Sequence, residues 1–176
     1  MIIYFLRHAS AGQAMSNPQK DERRALDEDG ILQARYIGRM LATLDVQVEQ
    51  IISSPLKRAR QTATLVANEL AFEAAVQLDN ALRPEAQLGE FQEMLGRLRK
   101  HESIMVVGHN PSLTEFLSKA VSGGAAPAHI DFKKGAVAKV ETTGRRGTLD
   151  WLVTPKIARV LQASRKLSSR PKTSRK

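Results

Sequence analysis

The apolar run Met1-Ile2-Ile3-Tyr4-Phe5-Leu6 opens the chain and ends abruptly in Arg7-His8. A continuous apolar run of this length is typical of a strand that is covered on both faces of a sheet. Polar side chains at the carboxyl end of such a strand project into the crevice where open α/β sheets bind ligands. The junction therefore predicts a buried first strand with a functional site beside it. On Arg7-His8 alone, a strand that simply ends in a charge explains the pattern equally well.

A second apolar run of the same kind is Ser103–Gly108, and a shorter strand is indicated at Gln50–Ser53, with a turn after it. Apolar residues at helical spacing separate these runs. The other predicted elements are helices over 31–44 and 56–70, a small strand at 76–78, a helix ending near residue 100, a helix opening at Pro111-Ser112 with a Ser112/Glu115 capping box, and strands over 136–141 and 148–153 joined by a hairpin turn over 143–147. Strands alternating with helices predict an α/β fold with a mostly parallel sheet and antiparallel additions towards its end.

Length and composition narrow the class of protein. The chain has 176 residues, which suits one α/β domain, and it has no cysteine. The lack of cysteine excludes disulfides, thiolate metal sites and a cysteine nucleophile, and it fits a reducing compartment. The apolar runs are too short to cross a bilayer, and the first residues lack the basic region and cleavage pattern of a signal peptide. We therefore expect a cytoplasmic protein with no membrane partner.

The formal net charge of +9 is unevenly distributed. Residues 159–176 carry seven of the 27 basic residues and no acidic residue, which leaves 20 basic against 18 acidic residues in the rest of the chain. This segment is also rich in serine, a composition that predicts a disordered, solvated tail. Such a tail could contact RNA or an acidic partner through counterion release. Because the rest of the chain is nearly neutral, we do not expect a nucleic-acid partner.

Polar side chains of one kind follow three of the predicted strands. Arg7-His8 follows the first strand and Gly108-His109-Asn110-Pro111 follows the second long apolar run. The third segment is Ser53-Ser54-Pro55-Leu56-Lys57-Arg58-Ala59-Arg60-Gln61-Thr62, with Arg58 in the first turn of a helix. If these strands are parallel and adjacent, two arginines, two histidines and helix N-termini surround one small space at the same edge of the sheet.

That group of side chains suits a compact, multiply charged anion such as a phosphoryl group. Arginine presents a rigid fork of donors that matches phosphate oxygens, and helix N-termini add oriented backbone donors. Two histidines supply what a passive anion site does not need, a nucleophile and a proton-bearing or charge-stabilising partner. The histidines are scattered and carboxylates do not cluster beside them, so we expect neither a metal nor an organic cofactor.

The three segments resemble the motifs of the histidine phosphatase (phosphoglycerate-mutase-like) superfamily. Leu6-Arg7-His8-Ala9-Ser10 is similar to its Arg-His-Gly signature. Residues 53–62 resemble its second motif, and Val107-Gly108-His109-Asn110-Pro111 resembles its third. The short length and the closing segment 149–155 are most similar to the SixA-type phosphohistidine phosphatases. The resemblance runs to about Pro155. It implies a three-layer α/β/α sandwich of phosphoglycerate-mutase-like fold, with a phosphatase domain over 1–158 and a basic tail over 159–176.

The resemblance also implies roles for individual residues. His8 attacks phosphorus and becomes a transient phosphohistidine that water hydrolyses, while Arg7, Arg58 and His109 hold the phosphoryl oxygens. Arg24 matches a basic position before the first helix of SixA-like chains, where it would serve the substrate side, although a solvated charge run around it is the alternative. Ser10 and Asn110 are candidate donors at the rim, which turn formation explains nearly as well.

Two positions depart from the superfamily pattern. Ala9 replaces the usual glycine after the histidine, and its methyl group could crowd the pocket. Many members carry a Glu or Asp general acid, and Glu85 is the nearest candidate here. A phosphohistidine departs as an imidazole that can already carry its proton, so it needs less acid assistance than an alkoxide does.

We therefore expect a phosphohistidine phosphatase that acts on phosphorylated protein partners such as phosphotransfer domains. One alternative is a small-molecule phosphomonoesterase on the same fold, which would be favoured if Glu85 reached the pocket. The other is a non-catalytic phosphate- or nucleic-acid-binding protein that uses its tail.

Overall fold

The computed structural model describes residues 1–123, 126–143 and 146–168, and its strands form a six-stranded sheet. The strands are β1 (Ile2–Arg7), β2 (Gln50–Ser53), β3 (Gln77–Leu78), β4 (Ser103–Gly108), β5 (Val137–Thr143) and β6 (Arg146–Val153). Their order across the sheet is β3-β2-β4-β1-β5-β6. The first four strands in chain order are parallel, whereas β5 and β6 add to the β1 edge in antiparallel fashion. This is the mostly parallel sheet that the sequence predicts.

The helices cover both faces of this sheet. They are α1 (Pro18–Glu22), α2 (Glu28–Thr43), α3 (Lys57–Glu69), α4 (Leu88–Arg97), α5 (Ser112–Ser122) and α6 (Pro155–Ser168), with a 3₁₀ turn at Asn80–Leu82. Helix α1 and the 3₁₀ turn were not predicted from the sequence. None of these helices is both long and apolar enough to cross a membrane, as far as the described residues go.

Alternate side chains of β1 enter opposite layers of the core. Ile3 and Phe5 pack with the side chains of α4 and α5, including Phe91. Tyr4 and Leu6 pack in the second cluster, with the side chains of α2 and α3. Since a strand covered on both faces must be apolar at every position, the uninterrupted run at the start of the chain follows directly from this arrangement. The predicted three-layer α/β/α sandwich is confirmed.

The register of the strands brings the three polar segments to one edge. Arg7 lies opposite Gly108 in the β1–β4 pair, and Ser53 lies opposite Val107 in the β2–β4 pair. The backbone N–H of His8 donates to the carbonyl of Gly108 at 3.0 Å, just beyond the paired strands. The segments after β1, β2 and β4 therefore begin at the same level of the sheet, as the sequence predicts.

The C-terminal part of the chain differs from the expectation. Residues 159–168 were predicted to be disordered, yet they continue helix α6, which packs against α2. Ala158 is fully buried, and the side-chain amide of Gln162 donates to the carbonyl of Tyr36 at 2.7 Å. The structure differs from the expectation for these ten residues, which form the end of a helix that is anchored on α2 by Ala158 and Gln162. Residues 169–176 lie outside the described part of the chain, and the domain limit at residue 158 stays a prediction.

Two smaller expectations also differ. The predicted capping box at α5 is absent. Pro111 occupies the N-cap position, and the Ser112 hydroxyl lies 2.9 Å from the carbonyl oxygen of Arg83 and 3.1 Å from that of His109. The two C-terminal strands are paired as predicted, but the middle of their predicted turn, residues 144 and 145, lies outside the described residues.

Candidate active site

His8 stands directly after β1 with its imidazole almost completely buried. Its Nδ1 lies 2.7 Å from the carbonyl oxygen of Ala9, and a carbonyl can only accept, so Nδ1 carries the proton and Nε2 keeps its lone pair. Burial lowers the pKa of His8, the bond to Ala9 opposes this, and the charges of Arg58 and Arg7 add to it, so that the pKa is about 3. The ring is therefore neutral at physiological pH, with its tautomer fixed.

His109 follows β4 and faces His8. The two ring centroids are 4.8 Å apart with an interplanar angle of 49°. The Nε2 of His109 lies 2.9 Å from the hydroxyl oxygen of Ser54, whereas its buried Nδ1 has no hydrogen-bond partner in the described part of the chain. Burial lowers the pKa of His109 to about 2, and the nearby His8 and Arg58 contribute to the shift. The segments after β1 and β4 thus place two neutral imidazoles side by side.

Arg58 is 4% exposed, although it lies in the first turn of α3. Its Nη1 donates to the carbonyl of Asp21 at 2.9 Å and forms an ion pair with the Asp21 carboxylate at 3.2 Å. Its buried Nε finds no partner among the described residues. Burial lowers the pKa of the guanidinium and Asp21 offsets this, so the group keeps its charge. Arg58 is therefore a buried cation that is held on one side only.

Arg7 repeats this arrangement from the other wall. Its Nη1 donates to the carbonyl of Phe132 at 2.7 Å, and its buried Nε makes no hydrogen bond to the described residues. A buried N–H without a partner costs free energy of about 1–3 kcal/mol. Together with the Nδ1 of His109, the two guanidinium Nε atoms give the site three buried nitrogens that an anion could satisfy.

The loop after His8 is fixed to the neighbouring helices by buried bonds. The backbone N–H of Ala9 donates to the Thr62 hydroxyl at 3.1 Å, and that hydroxyl donates to the carbonyl of Arg58 at 2.8 Å. The methyl group of Ala9 packs in a small cluster that includes Leu26 and Ala34. The substitution of glycine by Ala9 therefore fills the core behind the loop, and the expected crowding of the pocket is not seen.

The remaining predicted residues are placed as follows. The hydroxyl of Ser10 donates to the carboxylate of Asp27 at 2.7 Å, and its backbone N–H donates to the side chain of Gln33 at 3.0 Å. Ser10 therefore has no donor left for a substrate. Asn110 donates to the carbonyl of Phe132 at 3.2 Å, the oxygen that also holds Arg7, and its buried Oδ1 has no partner within the described ranges. It therefore lies beside the site.

Arg24 and Glu85 are both engaged by neighbouring residues. Arg24 donates from Nε to Asp21 at 2.8 Å and from Nη1 to the carbonyl of Ala11 at 2.6 Å, so it ties α1 to the loop after β1. Glu85 has a side chain that is 71% exposed and pairs with Arg83 at 3.5 Å. The substrate-side role of Arg24 and the acid role of Glu85 stay predictions.

Three residues that touch the site were not assigned from the sequence, namely Ser54, Thr62 and Asp21. Ser54 and Thr62 belong to the second motif, so their position next to Arg58 was the available signal. Asp21 had no such signal, because its pairing with Arg58 spans 37 positions of the chain. The described residues include no group of three or more His, Cys, Asp or Glu side chains that could hold a metal ion.

Comparisons with known proteins agree with this geometry. Residues 3–99 match the model of the histidine phosphatase superfamily, branch 1. An uncharacterised protein of Picosynechococcus is 33% identical over 140 residues, which cover 78% of this chain and 82% of the relative. The phosphohistidine phosphatase SixA of Escherichia coli is 26% identical over 159 residues, which cover 88% and 94%.

The fold has solved counterparts as well. The structure of the protein histidine phosphatase SixA complexed with tungstate matches with a TM-score of 0.78 at 24% identity, over 89% of this chain and 98% of that one. The six-stranded sheet and its helices are therefore those of the predicted fold. This chain is a phosphatase that belongs to the histidine phosphatase superfamily, and its sequence is similar to that of SixA.

Proposed function

We propose that the protein removes phosphoryl groups from phosphohistidine on protein partners, through a transient phosphohistidine at His8. The observation that carries this proposal is the 2.7 Å bond from Nδ1 of His8 to the Ala9 carbonyl. It leaves the lone pair of Nε2 unprotonated beside two cations, which is the state that a nucleophilic imidazole needs.

Two displacements at phosphorus make up the reaction. In the first, Nε2 of His8 forms a bond to phosphorus while the P–N bond of the substrate breaks. The electron pair of that bond stays on the departing imidazole, which leaves as a neutral ring because its other nitrogen already carries a proton. In the second, a water oxygen bonds to phosphorus, the P–Nε2 bond breaks and its pair returns to His8. One water proton stays on the phosphate as a hydroxyl, and the other passes to a second phosphate oxygen or to solvent. The Nδ1 proton stays on His8 throughout.

His109 is suited to donate to a phosphoryl oxygen. The Ser54 hydroxyl accepts the N–H of Leu56 at 3.3 Å, and the Nε2 of His109 is the acceptor within reach of its own hydrogen. If Ser54 donates to Nε2, the proton of the neutral ring must reside on Nδ1. That N–H and the Nε groups of Arg7 and Arg58 would then bind the oxygens, where charge accumulates in the transition state.

The carboxylates near the site favour an imidazole leaving group over an alkoxide. Burial raises the pKa of Asp21, but the N–H of Met15 and the guanidinium groups of Arg24 and Arg58 outweigh it and bring the value to about 2. Asp21 is thus ionised at neutral pH, and Glu85 is exposed and paired with Arg83. Neither is prepared to protonate an alkoxide, so no observation favours the phosphomonoesterase alternative.

The test compares wild type with His8→Ala on a phosphohistidine-bearing protein and on p-nitrophenyl phosphate. We expect wild type to prefer the phosphohistidine substrate, and loss of the nucleophile to lower kcat by about 10³-fold or more. His101→Ala is the matched control. His101 pairs with Glu49 and precedes β4, at the end of the strand opposite to His109, so its loss should leave the activity intact.

Rapid quenching should also trap an acid-labile phosphoenzyme in wild type and not in His8→Ala. Near-normal turnover by His8→Ala would show that His8 is not the nucleophile. A strong wild-type preference for the monoester would refute the substrate class.

A further inference from the structure

A basic groove of about 630 Å³ lies between α2 and α3, beside the active site. Its cationic walls are formed by Arg23, Arg35, Lys57 and Arg60, all of them exposed. Its floor is apolar and includes Leu26, Ile31 and Leu65. The N–H of Leu26 donates to the side chain of Gln61 at 2.8 Å, which joins the floor to α3. The groove is therefore a formed surface between two packed helices.

The cations of the basic groove have no counterions in the part of the chain that the structure describes. None of the four forms an ion pair with another residue of the described ranges, whereas Arg39, further along α2, pairs with Glu69 of α3 at 3.2 Å. Glu22, the one acidic side chain among the described lining residues, is held by Arg83 at 2.7 Å. Uncompensated charges of one sign in a concave surface attract ligands of the opposite sign.

The basic groove shares the first turn of α3 with Arg58, although Arg58 itself is buried and does not line the groove. Lys57 and Arg60 flank Arg58 in the first turn of α3. Arg23 follows two positions after Asp21, whose carbonyl and carboxylate hold the Arg58 guanidinium. A chain lying in the groove would therefore pass close to the two elements, α1 and the start of α3, that carry Asp21 and Arg58.

We propose that the basic groove docks an acidic segment of the phosphorylated protein, adjacent in sequence to its phosphohistidine; this inference rests on the proposed function. From Lys57 to Leu65 the wall follows α3 for about 12 Å, the length of about four extended residues. The apolar floor can contact the aliphatic parts of such a segment. The described lining residues include no aromatic side chain on which bases could stack, which favours a protein over a single-stranded nucleic acid.

The test uses phosphohistidine peptides that carry a run of glutamates on one side of the phosphohistidine or on the other, each with a glutamine-matched counterpart. For one arrangement, wild type should show about a tenfold higher kcat/KM on the acidic peptide, mainly through KM, because several exposed ion pairs add up to that factor. The preference should fall as the NaCl concentration rises.

The double variant Arg35→Glu/Arg60→Glu should abolish or reverse this preference. The matched control Arg99→Glu/Lys100→Glu carries the same change of charge on exposed residues ahead of β4, at the other end of the sheet, and it should keep the preference. Thermal unfolding of both variants verifies their folding, and Arg35→Gln and Arg60→Gln should give intermediate ratios.

The outcomes separate this inference from the function on which it rests. Equal turnover of acidic and glutamine peptides by wild type, or equal losses in both double variants, would refute the docking groove and leave the phosphatase assignment intact. Competition by an oligo-dT strand that exceeds competition by the unphosphorylated acidic peptide would assign the groove to nucleic acid and overturn the inference. Failure of wild type to hydrolyse any of the peptides, with p-nitrophenyl phosphate still turned over, would refute the proposed function and the inference together.

Discussion

Replacement of Ser54 by alanine would test whether this hydroxyl holds the proton of His109 on the nitrogen that faces the substrate. Ser54 is fully buried, and its oxygen lies 2.9 Å from Nε2 of His109. Without the hydroxyl, no donor bonds to Nε2 of His109, and the neutral ring can carry its proton on Nε2. In the proposed mechanism, the unpartnered Nδ1 would then offer a lone pair to the phosphoryl oxygens instead of an N–H donor.

The expected loss follows from the removal of one donor from the transition state. A single donor to a developing oxyanion contributes about 10²-fold to kcat, so we expect kcat/KM on a phosphohistidine peptide to fall by about that factor. Stability should fall by about 1–3 kcal/mol because a buried nitrogen loses its partner. Steady-state kinetics and urea unfolding measure the two effects separately.

Ser53→Ala provides the matched control. Ser53 is equally buried, but its hydroxyl donates to the carbonyl of Ser54 at 2.9 Å and does not contact His109. Its loss should affect stability more than turnover. The ring nitrogen shifts of His109 in ¹⁵N NMR should report Nδ1–H in wild type and in Ser53→Ala, and Nε2–H in Ser54→Ala. The reasoning is refuted if both variants have the same kcat/KM, or if the proton of His109 resides on Nε2 in wild type.

Three further perturbations test the support of the site. In Gly30→Ala the new Cβ would overlap the backbone carbonyl of Ser10, so the free energy of unfolding should decrease by about 1–3 kcal/mol and the activity should fall. The control is Gly96→Ala in α4, whose new Cβ enters open space, so its free energy of unfolding should increase by up to about 1 kcal/mol. Thr62→Val removes the acceptor of the Ala9 N–H and should cost about 1–3 kcal/mol in urea unfolding, which Thr62→Ser should largely restore. Finally, the two site histidines are neutral in the folded protein down to pKa values of about 3 and about 2, whereas the unfolded chain binds their protons near pH 6.5. The free energy of unfolding is therefore highest above pH 6.5 and decreases as the pH falls towards 3, with a loss of about 2 kcal/mol per histidine at pH 5. A free energy of unfolding in urea that is independent of pH over this range would contradict the neutral state of the two histidines.

The strands were the part of the fold that the sequence predicted best. The structure has β2 at Gln50–Ser53 and β4 at Ser103–Gly108, the ranges expected from the apolar runs. Both strands are covered on two faces, so their central positions, Ile51-Ile52 and Ile104–Val107, are apolar and buried, which made the strands recognisable. Helix ends were less predictable, since α2 begins at Glu28 with Asp27 as its cap, three positions before the apolar pattern starts.

The centre of the site could be predicted because each motif follows a strand of the same parallel sheet. The placement of His8, His109, Arg7 and Arg58 requires only that β1, β2 and β4 be neighbours. The surrounding bonds could not be predicted in this way. Asp21 reaches Arg58 across a loop, and the groups that fix His8 and Arg7 are the backbone carbonyls of Ala9 and Phe132, which no residue type reveals.

The electrostatics of the site explain why its two histidines are neutral although the reaction handles an anion. The half-buried Arg7 and the buried Arg58 already supply two permanent charges, and a protonated imidazole beside them would add repulsion to the cost of its own burial. A neutral His8 can attack phosphorus, which a protonated one cannot. In the proposed mechanism, the positive charge that binds the phosphoryl group comes from guanidinium groups that cannot titrate, and the imidazoles remain free for bond formation and hydrogen bonding. This division of roles requires that the arginines be held by other groups of the protein, as Asp21 and the carbonyl of Phe132 hold them. Their buried Nε groups, which have no partner among the described residues, would then be available to the phosphoryl oxygens.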